Sequence, residues 1–519
     1  MKSRALLGTS FTMALLLGAG SAAMADSTIR VQLNADVRST DPGVNRDADT
    51  DVVVAHMVEG LVAYGEDTTV RPMLAEKVDV STDDLTYTFT LRKGVKFHNG
   101  AEMTADDVLW SWIRYMDPKT EWRCLSAFDG RSDLKVVSVS APDKHTVVFT
   151  LEKPTALFLP SLARTDCGQA GILHKDSLKA DGTWDKPIGT GPYQLGEWKR
   201  GEYFSAKAFP GYASREGERD GLGGGKKALV GEIRFMVVPD ASTAKAALLA
   251  GDLDLIPDLS NADAIELQKN DAVSVVVGDT MEMSGLLIQT RDPVLSNVKM
   301  REAIAAALDY DQLVAAVTQG LSKPNNSIIP TSSPYANEKT QKGWSYDPEK
   351  VKQLLAEAGY DGKPIVMLTN KHYTSMYDGA IVAQAMLEAA GIKVELEVME
   401  WGAQLDQYTA GSYQMMSFSY SARLDPALSF DSIMGSKDKQ PRKVWDDPAA
   451  QAVLAKSMVA ADKAERQALF DDLDQRFKAA VPMIPLYNGA DVFAVSKRVE
   501  GYKSWPGAIP RLWSVSAGE

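Results

Sequence analysis

Residues 80–111 read VSTDDLTYTFTLRKGVKFHNGAEMTADDVLWS, and this stretch decides how the rest of the chain is read. Leu85 to Leu91 alternates apolar and polar residues with period 2, the pattern of a half-buried strand. Val95 to His98 reads as a second short strand leading into Asn99-Gly100, a strong turn signal. Thr104 then stands as an N-cap, with Asp106 and Asp107 in the first turn, where the helix dipole favours acids. The helix beyond it places Val108, Trp112 and Tyr115 on one face.

The same β–α rhythm extends outward in both directions. Ile29 to Leu33 and His145 to Leu151 read as strands. Ile188 to Tyr193 (Ile-Gly-Thr-Gly-Pro-Tyr) reads as a rigid, glycine-flexed turn. Gly221 to Gly225 followed by Lys226-Lys227 superficially suggests a phosphate loop. It lacks the first glycine at the required spacing and a Ser/Thr after the lysine, and it runs into a strand from Glu232, so a surface loop is expected. Further on, Asp347-Pro348 caps a helix through Ala358 that Gly359 stops. Ile365 to Leu368 is a strand. Gly379 to Ala390 is a helix with Ile381, Val382, Ala385 and Met386 toward the core, and Ile392 to Val398 is the next strand. Val453 to Ala480 is a long helical pattern, followed by strand-like pieces at Ile484 to Tyr487 and Val492 to Val495. The fold class expected is α/β, with sheets covered by helices.

The first 25 residues are a processing signal rather than structure. Lys2 and Arg4 form a basic n-region, Ala5 to Ala19 an apolar h-region, and Ala23-Met24-Ala25 a small-x-small cleavage site. Cleavage after Ala25 starts the mature chain at Asp26, with no cysteine there to carry a lipid anchor. Removing 25 of 519 residues leaves 494, too many for one hydrophobic core. Two basic residues leave with the signal, so the formal charge moves from −13 to −15. An acidic surface argues against nucleic acid and anionic membrane as partners. The five histidines are scattered singly with no zinc spacing, so neither a metal nor a cofactor is expected. No nucleophile–base–orienter set is present, and the Ser-x-x-Lys strings at Ser242 and Ser436 lack a companion Lys-Thr-Gly. An enzyme is therefore not expected. Cys124 and Cys167 are the only cysteines, and an exported chain permits a disulfide between them without requiring it.

Residues 80–111 resemble the signature of the extracellular solute-binding proteins of family 5, the oligopeptide, dipeptide, nickel and opine-type receptors of ABC importers. Ser39-Thr-Asp-Pro42, Glu59-Gly-Leu61, Gly189-Thr-Gly-Pro-Tyr193, Gly251-Asp-Leu-Asp254, Val298-Lys-Met-Arg-Glu-Ala-Ile304, Leu354-Leu-Ala-Glu-Ala-Gly-Tyr360 and Pro482-Met-Ile-Pro-Leu-Tyr487 extend the likeness in order over the mature chain. The resemblance implies a periplasmic-binding-protein-like bilobal fold: two α/β lobes, a two-segment hinge, and an extra subdomain on the first lobe. The core of lobe I would comprise 26–58, 184–279 and 490–519, the extra subdomain 59–183, and lobe II 280–489. Ligand would sit between the lobes and be enclosed by hinge closure. The implied partners are a small-molecule ligand and inner-membrane permease subunits with cytoplasmic ATPases, served by a monomer in the periplasm.

The resemblance also assigns site residues. In peptide-binding members an aspartate about four residues before a proline holds the ligand's α-ammonium. Before Pro426 that place falls on Ala422 or, with one deletion, Arg423. No acid stands there. Arg423 suits a carboxylate instead, with Asp425 anchoring it or meeting a hydroxyl. Ser421 shares that segment, and Trp401 aligns with a ligand-lining tryptophan able to stack on a flat face. Tyr377 and Tyr408 lie in lining segments, and Arg46 and Asp47 in a loop that touches ligand. Cys124 and Cys167 both fall in segments approaching the cleft, which favours a disulfide stapling the extra subdomain. The ligand expected is a small carboxylate-bearing compound such as an opine, a modified amino acid or a short peptide. A conventional di- or oligopeptide receptor is the main alternative, followed by a metal-chelate receptor and a secreted hydrolase.

Overall fold

A computed structural model describes residues 27–44, 48–131, 134–460 and 462–518. Within them, two long antiparallel strands, Val273–Ile288 and Met483–Ser496, form the spine of a ten-stranded sheet. Their first pairing zone joins Val273–Asp279 to Ala490–Ser496, and their second joins Met283–Leu287 to Met483–Asn488. Between the zones, Thr280, Met281 and Glu282 face Gly489 alone, a bulge that breaks the ladder and bends both strands at one level. Sequence reading expected two separate pieces at Ile484 to Tyr487 and Val492 to Val495. They are the ends of one strand that serves both lobes.

On one side of the spine, Leu255–Ile256, Thr28–Leu33 and Glu232–Val237 run parallel, continued by Tyr203–Ala208 and Tyr193–Lys199. On the other side lie Met415–Tyr420, Ile365–Thr369 and Val394–Val398, also mutually parallel. Each lobe therefore has its own buried core. Ile29, Val31, Phe235 and Leu255 belong to the first, and Leu286, Ile365, Met367 and Met415 to the second.

The extra subdomain is a four-stranded antiparallel sheet in the order Ala75–Val80, Thr86–Leu91, Thr146–Leu151, Val136–Asp143. Tyr87, Phe89 and Leu91 are buried and the threonines between them are partly exposed, as period 2 dictates. Helix Ala105–Met116 covers this sheet with Val108, Trp112 and Tyr115 inward. The Asp107 carboxylate accepts the Thr104 N–H at 2.8 Å, which fixes the helix start. Trp112 meets Phe128 and Phe149 edge to face at 5.3 and 5.1 Å, and such pairs add about 0.5–1.5 kcal/mol each beyond burial. Val95 to His98 is not a strand. Its backbone makes one bridge, Lys96 to Glu102, around a turn whose Gly100 has φ +86°.

Helix Pro348–Ala358 matches its signals: the Asp347 side chain accepts the Lys350 N–H at 3.0 Å, and Gly359 ends it at φ +66°. Three other expectations change. The helix expected from Gly379 starts at Thr374 and buries Met376, Ala380, Ala383 and Leu387, leaving Ile381 41% exposed. Small residues face the strands there because they allow close approach. The pattern from Val453 to Ala480 is two helices, Pro448–Ser457 and Lys463–Ala480. Asp462 caps the second, and Arg466 Nε reaches back to the Ser457 carbonyl at 2.9 Å.

The glycines from 221 to 225 are not a surface loop. Gly221, Leu222 and Gly223 are buried, and a Cβ at Gly221 (φ +60°) would lie 2.3 Å from the Tyr64 carbonyl oxygen. Lys226, 1% exposed, donates to Glu59 Oε1 at 3.0 Å and lies 4.7 Å from the Trp513 ring centroid. Glu59 also accepts from the Tyr212 hydroxyl at 2.9 Å and the Thr190 hydroxyl at 3.1 Å. The lysine that superficially suggested phosphate binding is thus consumed in a satisfied buried network.

Candidate ligand-binding cleft

In open α/β sheets, ligands bind beyond the carboxyl ends of parallel strands. In lobe II those ends lead into Asn370–Tyr373, Met399–Trp401 and Ser421–Asp425. In lobe I they lead into Asn34, Val238 and the pair Pro257-Asp258. One end of each lobe thus gathers loops, and several of the residues chosen from sequence fall on the lobe II set.

Trp401 is half-buried, 5.0 Å from Tyr373 edge to face and 5.8 Å from Phe418. Tyr408 is buried and stacked on Phe418 at 4.5 Å, with its hydroxyl 3.3 Å from that of Tyr420. It supports the aromatic wall from behind. Tyr377 is half-buried, with the Lys371 ammonium 5.3 Å from its ring centroid. Ser421 is exposed. Arg46 and Asp47 lie outside the described residues.

Arg423 is half-buried, and its Nη1 donates to the Ala422 carbonyl at 2.9 Å and the Ser421 carbonyl at 3.4 Å. Burial first, and then the like charge of Arg164, push its guanidinium below its usual pKa, while Asp166 and Asp431 act the other way. Among the described residues no carboxylate pairs with it directly. Arg164 and Asp166 belong to the extra subdomain and form a two-pronged pair at 3.0 and 2.7 Å. Burial alone would raise the Asp166 carboxyl, but Arg164, Arg123 and Arg423 together hold it below the usual range. The next residue, Cys167, is joined to Cys124 by a disulfide with the Cα atoms 5.7 Å apart. Arg164 and Asp166 were missed in the sequence, where their one signal was adjacency to Cys167.

Asp425 does not anchor Arg423. Its Oδ1 caps helix Pro426–Ile433 through the Ala427 N–H at 2.9 Å. Both oxygens are also gripped by Arg466, at 2.9 and 3.0 Å, in a pair buried on both sides. A competing guanidinium from the folded-back helix has taken the carboxylate.

The lobes touch beside this region. The Ala156 N–H and the Thr155 hydroxyl donate to the Met458 carbonyl at 2.5 and 3.2 Å, and Leu424 packs on the core of lobe I. The hinge end of the cleft has the opposite electrostatic character. Glu282 in the bulge, Asp258 at a lobe I strand end and Asp491 on the second spine strand are close enough for their charges to act on one another. Burial, then Asp258 and Glu282, push Asp491 up to about 8. Burial also raises Asp258 and Glu282, although both touch solvent, as walls around an open gap produce. Asp491 Oδ2 has no hydrogen-bond partner among the described residues.

Cys124, Asp166 and Cys167 lie close enough together for a metal ion, but both sulfurs are used in the disulfide. His56 is a core residue. Its Nδ1–H donates to the Val52 carbonyl, Nε2 accepts the Leu512 N–H, and burial pushes its pKa down to about 4. No helix among the described residues is long and apolar enough to cross a membrane.

Comparison with known proteins places this architecture. The chain is 29% identical over 477 residues to heme-binding protein A of Haemophilus influenzae, covering 86% of this chain and 84% of that one. It is 27% identical over 488 residues to the dipeptide-binding protein of Escherichia coli, covering 89% and 88%. The structure of HbpA2 from Haemophilus parasuis superimposes with a TM-score of 0.83 at 25% identity, covering 95% of this chain and all of that one. The model for bacterial extracellular solute-binding proteins, family 5 Middle, matches residues 69–441. With most of its length matched and both lobes superimposable, the chain belongs to family 5 of the bacterial extracellular solute-binding proteins.

Proposed function

We propose that the mature chain captures a small carboxylate-bearing organic ligand between its lobes and delivers it to an ABC importer. It does so as a receptor, with no chemistry at the cleft. The observation that carries the choice of ligand is the Arg423 guanidinium. It stands at the carboxyl edge of the lobe II strands opposite Asp166, bonded only to main-chain carbonyls among the described residues. A ligand carboxylate supplies a directly bonded counter-charge to a desolvated cation that Asp166 and Asp431 reach only through space. Trp401 and Tyr373 offer the flat surface for the rest of the ligand. A dipeptide and a heme both carry carboxylates, so the named ligands of the relatives share the group Arg423 suits. Closure needs only a higher affinity for the closed state.

The test is calorimetric titration of carboxylated ligands identified by native mass spectrometry of protein purified from its own cell envelope. Arg423→Ala should weaken binding by about 1.5–3 kcal/mol, roughly 10- to 150-fold. Unchanged affinity for every carboxylated ligand would remove the assignment.

The conventional peptide-receptor reading is favoured by one feature, the acid trio Asp258, Glu282 and Asp491 at the hinge end, which would receive an α-ammonium. Equal binding of free and N-acetylated peptides would eliminate it. The reading also includes export by residues 1–25 with cleavage after Ala25, a monomeric receptor in the periplasm, and lobes divided as 26–58, 184–279 and 490–519, then 59–183, then 280–489. The mass of the periplasmic protein and its light-scattering mass in solution test the first two.

A further inference from the structure

A second cavity lies at the opposite end of lobe II. Strand Met415–Tyr420 points its carboxyl end at the cleft, whereas its amino end meets the loops at 289–292 and 410–413. A strand of that length spans about 20 Å, so the two places are distinct. The cavity has a volume of about 370 Å³, within the range of small-molecule sites. Gln289, Arg291, Asp292, Ser412, Tyr413 and Lys437 contribute to its lining.

Lys437 is only 3% exposed, which is unusual for a lysine without a carboxylate partner. Its ammonium donates to two neutral oxygens, Gln289 Oε1 at 2.7 Å and Thr290 Oγ1 at 2.9 Å. A lysine has three donors, so one remains. The surrounding acids are committed elsewhere. Asp292 accepts the Val294 and Leu295 N–H groups and the Gln414 amide. Asp446 takes Arg291, the Lys437 main-chain N–H and the Gln451 amide, and Asp438 takes the other arm of Arg291. Arg301, nearby, donates only to main-chain carbonyls among the described residues. Burial, then the charge of Arg291, push Lys437 down to about 8; Asp446 acts the other way without reversing the shift, and Arg301 adds to it.

We propose that this cavity binds a small oxyanion, a phosphate, sulfate or free carboxylate, held by the remaining donor of Lys437 with Arg291 at its rim. The site is separate from the cleft and independent of what the cleft binds. Inorganic phosphate serves as the probe, with chloride at matched ionic strength as the control. The full mature protein should melt several degrees higher in phosphate than in chloride. Lys437→Met should lose that difference while keeping the same affinity for the cleft ligand. Equal shifts in both proteins, or none in either, overturn the site. Should the variant fail to fold, the wild type labelled with ¹³Cε-lysine decides. Phosphate must raise the pKa of Lys437, which burial pushes down to about 8, and an unmoved titration overturns the site as well.

Discussion

Replacing Asp425 by asparagine separates a scaffolding role from a binding one. Asparagine caps helices about as well as aspartate, so the bond to the Ala427 N–H survives. What is lost is the charge facing Arg466, whose side chain and that of Asp425 are only 7% and 8% exposed. Leaving one member of a buried pair unmatched costs about 3–5 kcal/mol. Asp425→Ala removes the cap as well and adds about 1 kcal/mol. For a lobe of this size each kcal/mol moves the melting midpoint by about 2–4 °C, so the asparagine variant should melt about 6–20 °C lower. Scanning calorimetry measures the shift, and titration below the new midpoint measures ligand affinity. The double variant Asp425→Asn with Arg466→Met should recover part of the loss, since it leaves no orphaned charge. The reasoning is refuted if Asp425→Asn melts like the wild type, or if it abolishes ligand binding with stability intact.

Two further outcomes follow from the same structure. Because Asp491 is raised to about 8 from 3.8, the folded chain keeps a proton that the unfolded chain releases near pH 4, so this site's contribution is fully present below pH 4 and lost as pH rises through 8. Asp491→Asn should therefore gain stability over the wild type between pH 5 and 8.5, by about 2 kcal/mol after allowance for the open side of the cluster, and a pH-independent gap in melting temperature would contradict the cluster. The Cys124–Cys167 disulfide closes a separation of 43 residues, so opening it should cost about 4 kcal/mol by loop entropy. A thiol reductant that leaves the melting temperature of the extra subdomain unchanged would count against that.

Much of the fold was legible because its signals are local. Period-2 alternation placed Tyr87, Phe89 and Leu91 inward, Asp347 and Gly359 bounded their helix, and the acids after Thr104 marked a helix start. Local signals also misled where the facing element set the outcome. Ile381 is more apolar than its neighbours, yet the sheet admits Ala380 and Ala383 because they are small. For the candidate site, the sequence singled out the segment from Ser421 to Asp425, which the fold puts at the carboxyl end of strand Met415–Tyr420, but not the pairing of Asp425 with Arg466.

The sequence by itself determined the β–α order, the caps and the ordered motifs of family 5, since these depend on residues a few positions apart. The tertiary structure alone decided which charge meets which. Arg466 took Asp425 from 41 residues away, Lys226 went to Glu59 across 167, and Arg423 was left facing Asp166 of another subdomain. Such pairings are chosen by which buried groups the folded backbone brings within hydrogen-bond reach. A carboxylate can satisfy only a few donors, so the guanidinium that folds against it first in space, not in sequence, keeps it.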